Sequence, residues 1–264
     1  MIVRKTPEEI DKIAAAGQVL ARTLTMLKRK ARPGVTTGEL DEAAERFIRS
    51  QGGEPAFLGY RGFPGSICAS PNSMVVHGIP GSYALSRGDI LSIDVGVILD
   101  GWVADAAITV PVGNVTPVAK RLLTTTREAL FAGIEQCRAG NRLGDVSHAI
   151  QQRVEADDFA VIRALVGHGI GRDMHEDPQI PNFGNPGSGP RLEDGMVLAI
   201  EPMVNVGAPP IRVGEDNWSV YSQDGSLAAH FEFTVAITPE GPRILTPWHL
   251  EELAKGAPAA AGAA

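Results

Sequence analysis

Residues 91–109, LSIDVGVILDGWVADAAIT, read as two apolar strands with acids, Asp94 and Asp105, inside the apolar runs. Asp100–Gly101 stands between the runs, and an Asp-Gly pair flanked by apolar residues signals a two-residue hairpin turn. With that turn, Leu99 pairs with Trp102, Gly96 falls opposite Asp105, and Asp94 opposite Ala107. Both acids then share one face as diagonal neighbours roughly 7–8 Å apart at the backbone, and their carboxylates can lean toward a common point. A one-residue slip would put them on opposite faces. Two ionised carboxylates side by side in a core require that one protonates or that a cation joins them. The other reading is a wet face with both acids solvated, and the hairpin alone leaves the two open.

The same anomaly recurs. GMVLAIEPMV puts Glu201 at the end of an apolar strand, and AHFEFTVAIT puts Glu232 within another. GHGIGRDMHEDP reads as a loop holding His168 and His175, with glycines at 167, 169 and 171 leaving room for something to approach the backbone. Its spacing is not that of a dinucleotide-binding loop. Four acids and His168 make an oxygen-rich set with one nitrogen, which suits a pair of divalent ions better than a cysteine-rich structural zinc site. Four carboxylates and two divalent ions also cancel in formal charge, as a buried cluster requires.

The chain has 264 residues, 44% hydrophobic and 21% charged, with a formal charge of −7. That is globular composition, and the charge argues against nonspecific binding to nucleic acid or an anionic membrane. Two cysteines, Cys68 and Cys137, make no disulfide framework and fit a reducing cytoplasm. The start, MIVRKTPEEIDKIAAAG, has charges too early for a signal peptide or membrane anchor. Capping boxes at Thr6/Glu9 and Thr36/Glu39 open helices expected over Pro7 to about Ala31 and up to SQGG at 50–53. Thr116–Pro117 opens a third, to about Cys137, and a fourth runs from about Leu143 to Ala156. Strands follow each helical pair: SICAS, VVHGIP, the opening hairpin, then MVLAIEPMV and AHFEFTVAITP. GVTTGELDEAA and GNRLGDVSHAI match at an offset of 106, a faint internal repeat, although helix starts look alike for local reasons. The expected organisation is one mixed α/β domain with two related halves over residues 1–250, and a disordered low-complexity tail over 251–264.

GYRGFPGSICASPNSMVVHGIP, DVGVILDGWVADAAIT, GHGIGRDMHEDP, MVLAIEP and FEFTVAIT, in this order, resemble the type I methionine aminopeptidases of the creatinase/aminopeptidase (M24) family, from about residue 5 to 247. The resemblance implies an α/β (α+β) pita-bread fold: two pseudo-symmetric halves, antiparallel sheet covered by helices, and a central metal site. It implies Asp94 on one ion, His168 and Glu201 on the other, and Asp105 and Glu232 bridging both. The two ions would be cobalt, manganese, iron, zinc or nickel, and a hydroxide between them would attack the carbonyl of an N-terminal methionine. Glu201 would transfer protons, His175 would donate to the carbonyl oxygen, and His77 would contact the scissile amide. The substrate's free amine would lie toward the ion held by Asp94. Tyr60, Phe63, Cys68, Met174 and Trp218 would line the methionine pocket, although for Tyr60, Phe63 and Trp218 plain core packing is the reading without the resemblance. Cys137 is expected in the core, and His148 and His249 at the surface. The implied setting is the cytoplasm. The implied partners are nascent polypeptide N-termini with a small second residue, met at the ribosome by a monomer.

Three positions depart from the family pattern. Met174 stands where Phe is usual, and HFEFT replaces Gln-x-Glu-His-Thr, so His230 takes the place of Gln and Phe233 that of His. Met can still pack a thioether. His230 is expected to orient a ligand or add pH sensitivity. Two other functions stand beside the enzyme: a metal-free peptide-binding protein of the same fold, and an X-Pro peptidase. The full set of five ligands and two histidines argues against the first. The GYRGFP segment and the short stretch before the first helix, where prolidases carry a further domain, argue against the second.

Overall fold

A computed structural model describes residues 1–250; the tail expected over 251–264 lies outside the described residues. The chain runs α1 (Pro7–Lys30), α2 (Thr37–Ser50), β1 (Glu54–Pro55), β2 (Cys68–Pro71), β3 (Met74–Val76), β4 (Ile90–Leu99) and β5 (Trp102–Pro111). It continues through α3 (Pro117–Glu135), α4 (Leu143–Glu155), β6 (Ala160–Val161), β7 (Val166–Gly169), β8 (Glu176–Pro181) and β9 (Val197–Ile200). Then come β10 (Met203–Asn205), β11 (Ile211–Val213), β12 (Val220–Ser222), β13 (Ala228–His230), β14 (Phe233–Thr238) and β15 (Gly241–Ile244). All strand pairs are antiparallel. Both expected capping boxes form, with the Thr6 and Thr36 side chains accepting from the Glu9 and Glu39 amides.

The hairpin has the expected register, with Leu99 opposite Trp102, Gly96 opposite Asp105 and Asp94 opposite Ala107. Asp100 (φ 51°) and Gly101 (φ 74°) both occupy the left-handed region, as a tight hairpin turn of matching twist requires. Arg172 holds the turn, donating from Nη1 to the Gly101 carbonyl at 3.1 Å while its guanidinium lies 4.0 Å over the Trp102 ring.

The internal repeat is structural. Gly34 donates to the Leu85 carbonyl, and 106 residues on Gly140 donates to Leu192; Thr37 donates to Tyr83, and Leu143 to Pro190. Gly88 donates to Val112 and Gly195 to Ile237, each glycine with positive φ just before its strand. Beyond the helix starts the offset becomes 107, and at that offset Asp94 corresponds to Glu201. β4 and β9 are therefore equivalent strands, each delivering an acid from the same step of its half. One apolar core spans the helices and both main sheets.

Two expected strands are each broken in two. MVLAIEPMV pairs with β14 up to Ile200 and with β13 from Met203, and AHFEFTVAITP pairs with β10 up to His230 and with β9 from Phe233. Pro202 has no amide hydrogen to continue a ladder. The two breaks face each other, since Ile200 pairs with Phe233 and Met203 with His230. Glu201 and Glu232 are thus released from sheet geometry at the same point. Glu232 lies between strands, not within one. VVHGIP also stops as a strand at Val76, where His77 turns left-handed (φ 59°).

Candidate metal centre

His168 lies on β7, not in a loop, paired on either side with β8 and β9. A Cβ on Gly167 would fall 2.3 Å from the Ala199 carbonyl oxygen, and one on Gly169 2.1 Å from that of Asp177. These glycines admit neighbouring strands, and at Gly171 the Lys5 side chain fills the space. The His168 Nδ1 lies 2.9 Å from the Gly169 carbonyl oxygen, so Nδ1–H donates there and Nε2 is left as an acceptor. That Nε2 stands 3.5 Å from Glu201 Oε1 and 3.9 Å from Asp105 Oδ2.

Backbone and hydroxyl bonds between the halves fix the acids. The Glu232 amide donates to the Ala107 carbonyl at 2.9 Å. Thr234 Oγ1 donates to the Asp105 carbonyl at 2.7 Å and accepts from the Asp105 amide. Within the second half, the Asn182 side-chain amide Nδ2 donates to the Glu201 carbonyl at 3.0 Å. One donor atom each from Asp105, His168 and Glu232 lies within 4.8 Å of the others. Asp94, Asp105, His168, Glu201 and Glu232 all line one cavity of about 290 Å³.

This cluster strains against its own charge. Burial pushes the Asp94 carboxyl up to about 7. Burial, followed by repulsion from the neighbouring carboxylates, pushes Asp105, Glu201 and Glu232 well above the ordinary range. Burial also holds His168 low, on its neutral side. Asp94 Oδ1, Asp105 Oδ1 and Glu232 Oε1 are buried without a hydrogen-bond partner. Buried acceptors without donors, converging with a neutral imidazole, fit divalent cations.

The cavity walls are mostly apolar. Phe63, buried, packs edge-on to Trp218 with centroids 5.1 Å apart, and Tyr60 stacks on His175 at 5.4 Å. Tyr60, Phe63, Cys68, His77, His175 and Trp218 all line it. Tyr60 Oη lies 2.8 Å from His175 Nδ1. Desolvation first, then the nearby His168, Arg61 and His77, bring the His175 pKa down to about 4, so its ring is neutral. The Cys68 thiol is pushed up by burial and Asp94, making it an inert wall.

Met174, expected in the methionine pocket, is not among the residues that line the cavity. It is buried against β4 on the same face as the acids, where a Cβ on Gly96 would fall 2.8 Å from its Cε and 2.9 Å from the ring of the cavity-lining Phe57. The turn that aims His175 inward aims its predecessor into the space a glycine leaves. Cys137 is in the core, as expected. His148 and His249 are half-buried instead of surface residues: His148 Nδ1 meets the Gly184 carbonyl at 3.2 Å, and His249 packs edge-on to Phe233. Sequence reasoning did not place Phe57, Val76, Leu165, Val166 and Met203 in the cavity wall. They are ordinary apolar residues whose only signal is spatial.

Residues 11–239 match the family model described as metallopeptidase family M24. The chain is 55% identical to a methionine aminopeptidase of Clostridium perfringens and 53% identical to methionine aminopeptidase 1 of Bacillus subtilis. Each match covers 93% of this chain and 99% of the relative. A crystal structure of methionine aminopeptidase from Thermotoga maritima superposes with a TM-score of 0.92 at 46% identity, covering 93% of this chain and 99% of that one. Paired acids at equivalent points of two related halves, the pita-bread architecture and these likenesses agree: the chain belongs to metallopeptidase family M24, among the type I methionine aminopeptidases.

Proposed function

We propose that the protein removes N-terminal methionine from nascent polypeptides whose second residue is small, by metal-dependent hydrolysis at this centre. One observation carries the site assignment. Three buried acids with unpartnered oxygens, Asp94, Asp105 and Glu232, meet the partly buried Glu201 and a neutral imidazole at the cavity whose walls are otherwise mostly apolar. Asp94, Asp105, His168, Glu201 and Glu232 would hold two divalent ions, of cobalt, manganese, iron, zinc or nickel. When bound, such ions supply a hydroxide nucleophile at neutral pH and polarise a carbonyl.

The remaining chemistry belongs to the chain's own side chains. The apolar walls take the methionine side chain and exclude water. Tyr60, donating to His175 Nδ1, selects the tautomer with Nε2–H, which faces the scissile carbonyl oxygen as it gains charge. Because the ring stays neutral down to about 4, Nδ1 remains free at neutral pH to accept from Tyr60. His77, at the cavity mouth on a left-handed residue, contacts the scissile amide. Glu201 accepts and returns the proton during hydrolysis. Acids from both halves serve one centre, which supports residues 1–250 acting as one catalytic unit. A monomer working in the cytoplasm, at the ribosome, completes this reading; among the described residues, no helix is long and apolar enough to cross a membrane.

The test compares Met-Ala-Ser with Leu- and Pro-initiated peptides and with N-acetyl-Met-Ala-Ser, using chelated protein and protein reloaded with each metal. Expected is cleavage of the free methionyl peptide alone, and only with metal. Acetylated peptide cut at the same rate would overturn the role of the substrate amine. Activity surviving complete chelation would overturn the metal centre.

A further inference from the structure

His230 is 2% exposed, lines the same cavity, and neither ring nitrogen has a hydrogen-bond partner. Such a group is expected to find one. Its Nε2 stands 3.7 Å from Glu201 Oε2 and 3.8 Å from Glu232 Oε2. Those gaps are too long for hydrogen bonds. They fall in the range shown by His168, whose Nε2 stands 3.5 Å from Glu201 Oε1 and 3.9 Å from Asp105 Oδ2. Two donors each about 2.0–2.2 Å from one ion lie about 3–4 Å apart. The two imidazoles therefore flank Glu201, one at each carboxylate oxygen.

The ring is also held in place. The His230 amide donates to Thr109 Oγ1 and its carbonyl accepts from the same hydroxyl, both at 2.8 Å. Thr109 is in turn bonded to Ser92 at 2.8 Å, and His230 pairs with Met203 at the end of β13. A side chain presented from such a rigid element suits a ligand better than a mobile neighbour.

We propose that His230 is a further metal ligand, placing Nε2 on the ion shared with Glu201 and Glu232 and giving this chain's centre a second imidazole. The inference rests on the metal-centre reading above. Its chemical consequence is a shift in preference. A neutral nitrogen replaces the amide usual at this position, so cobalt, nickel and zinc gain over manganese and magnesium while the formal charge of the cluster is unchanged.

The test loads the chelated full chain with a single equivalent of Mn(II) and counts coordinated imidazole nitrogens by electron spin-echo envelope modulation. Expected are two in the unaltered protein, and one each in His230→Gln and His168→Gln. In competition titrations His230→Gln should lose about tenfold or more in Co(II) affinity relative to Mn(II). The count in the unaltered protein needs no variant to fold. A single nitrogen there, with tight binding retained, overturns the sixth ligand and leaves the metal centre standing. Failure to bind any ion overturns both. A drop in affinity with the nitrogen count unchanged by His230→Gln assigns His230 to orienting Glu201 and overturns ligation.

Discussion

Met174 and Gly96 show how one residue's meaning depends on its neighbour. Met174 directly precedes His175, and the family resemblance implied that it lines the substrate pocket. In the structure the methionine fills the hollow over Gly96, beside Ala56 and Phe57. It is 5% exposed and is not among the residues that line the cavity, although its neighbour Phe57 is. Met174→Ala should therefore lower unfolding stability by about 2–4 kcal/mol in urea denaturation. KM for a methionyl peptide should stay within about twofold, as for loss of packing without loss of substrate contact. A large rise in KM with unchanged stability would return Met174 to the pocket.

Among the elements, the turn between β7 and β8 depends on a residue far away in sequence. Lys5, with its side chain 2% exposed, forms an ion pair with Glu176, whose side chain is 12% exposed. Glu176 Oε1 also accepts from the amides of Arg172 and Asp173. The segment before α1 thus anchors the turn that carries His175. Lys5→Met leaves a partly buried carboxylate without its cation, still held by two amides, and should cost about 1–3 kcal/mol. It should also lower kcat by releasing His175. Adding Glu176→Gln should recover part of the stability; a double variant no better than the single would refute a charge-pair origin. Nothing in the sequence marks Lys5 as different from the other exposed-looking lysines, because its partner is 171 positions away. The hairpin, by contrast, was readable to the residue. Its turn type, alternation and register all follow from local rules.

Across the whole molecule, stability and metal binding are linked through the acid cluster. Unfolded carboxylates titrate near 4. Asp94 is raised to about 7, and Asp105, Glu201 and Glu232 are raised further from the ordinary range. Between about pH 4 and the raised values, the metal-free native state therefore holds more protons than the unfolded chain, and these groups remove stability as pH rises. The buried imidazoles act in the opposite sense, but only in acid: His230, lowered to about 3, removes stability as pH falls below about 6.5. From pH 6.5 to 8 the acids dominate. Chelated protein should melt at a lower temperature at pH 8 than at pH 6.5, and added Mn(II) should raise Tm more at pH 8, since the ion displaces protons. The opposite ordering in a thermal melt series would refute the linkage.

The sequence was enough to establish the helix starts, the Asp94/Asp105 hairpin, the acids out of place in apolar runs and the order of the motifs. Each of these depends on residues only a few positions apart, or on a pattern that survives as a string. The repeat at offset 106 was visible but ambiguous, because a helix start looks the same whether or not its half has a twin. Folding resolved it by matching hydrogen bonds at Gly34 and Gly140, and by making Asp94 and Glu201 counterparts. The breaks at Glu201 and Glu232, the strand under His168, the burial of Met174 and the nearness of His230 to two carboxylates were settled by packing alone. Strand pairing, crowding at a missing Cβ and the closing of one half upon the other are contacts between distant segments, and no local rule encodes them.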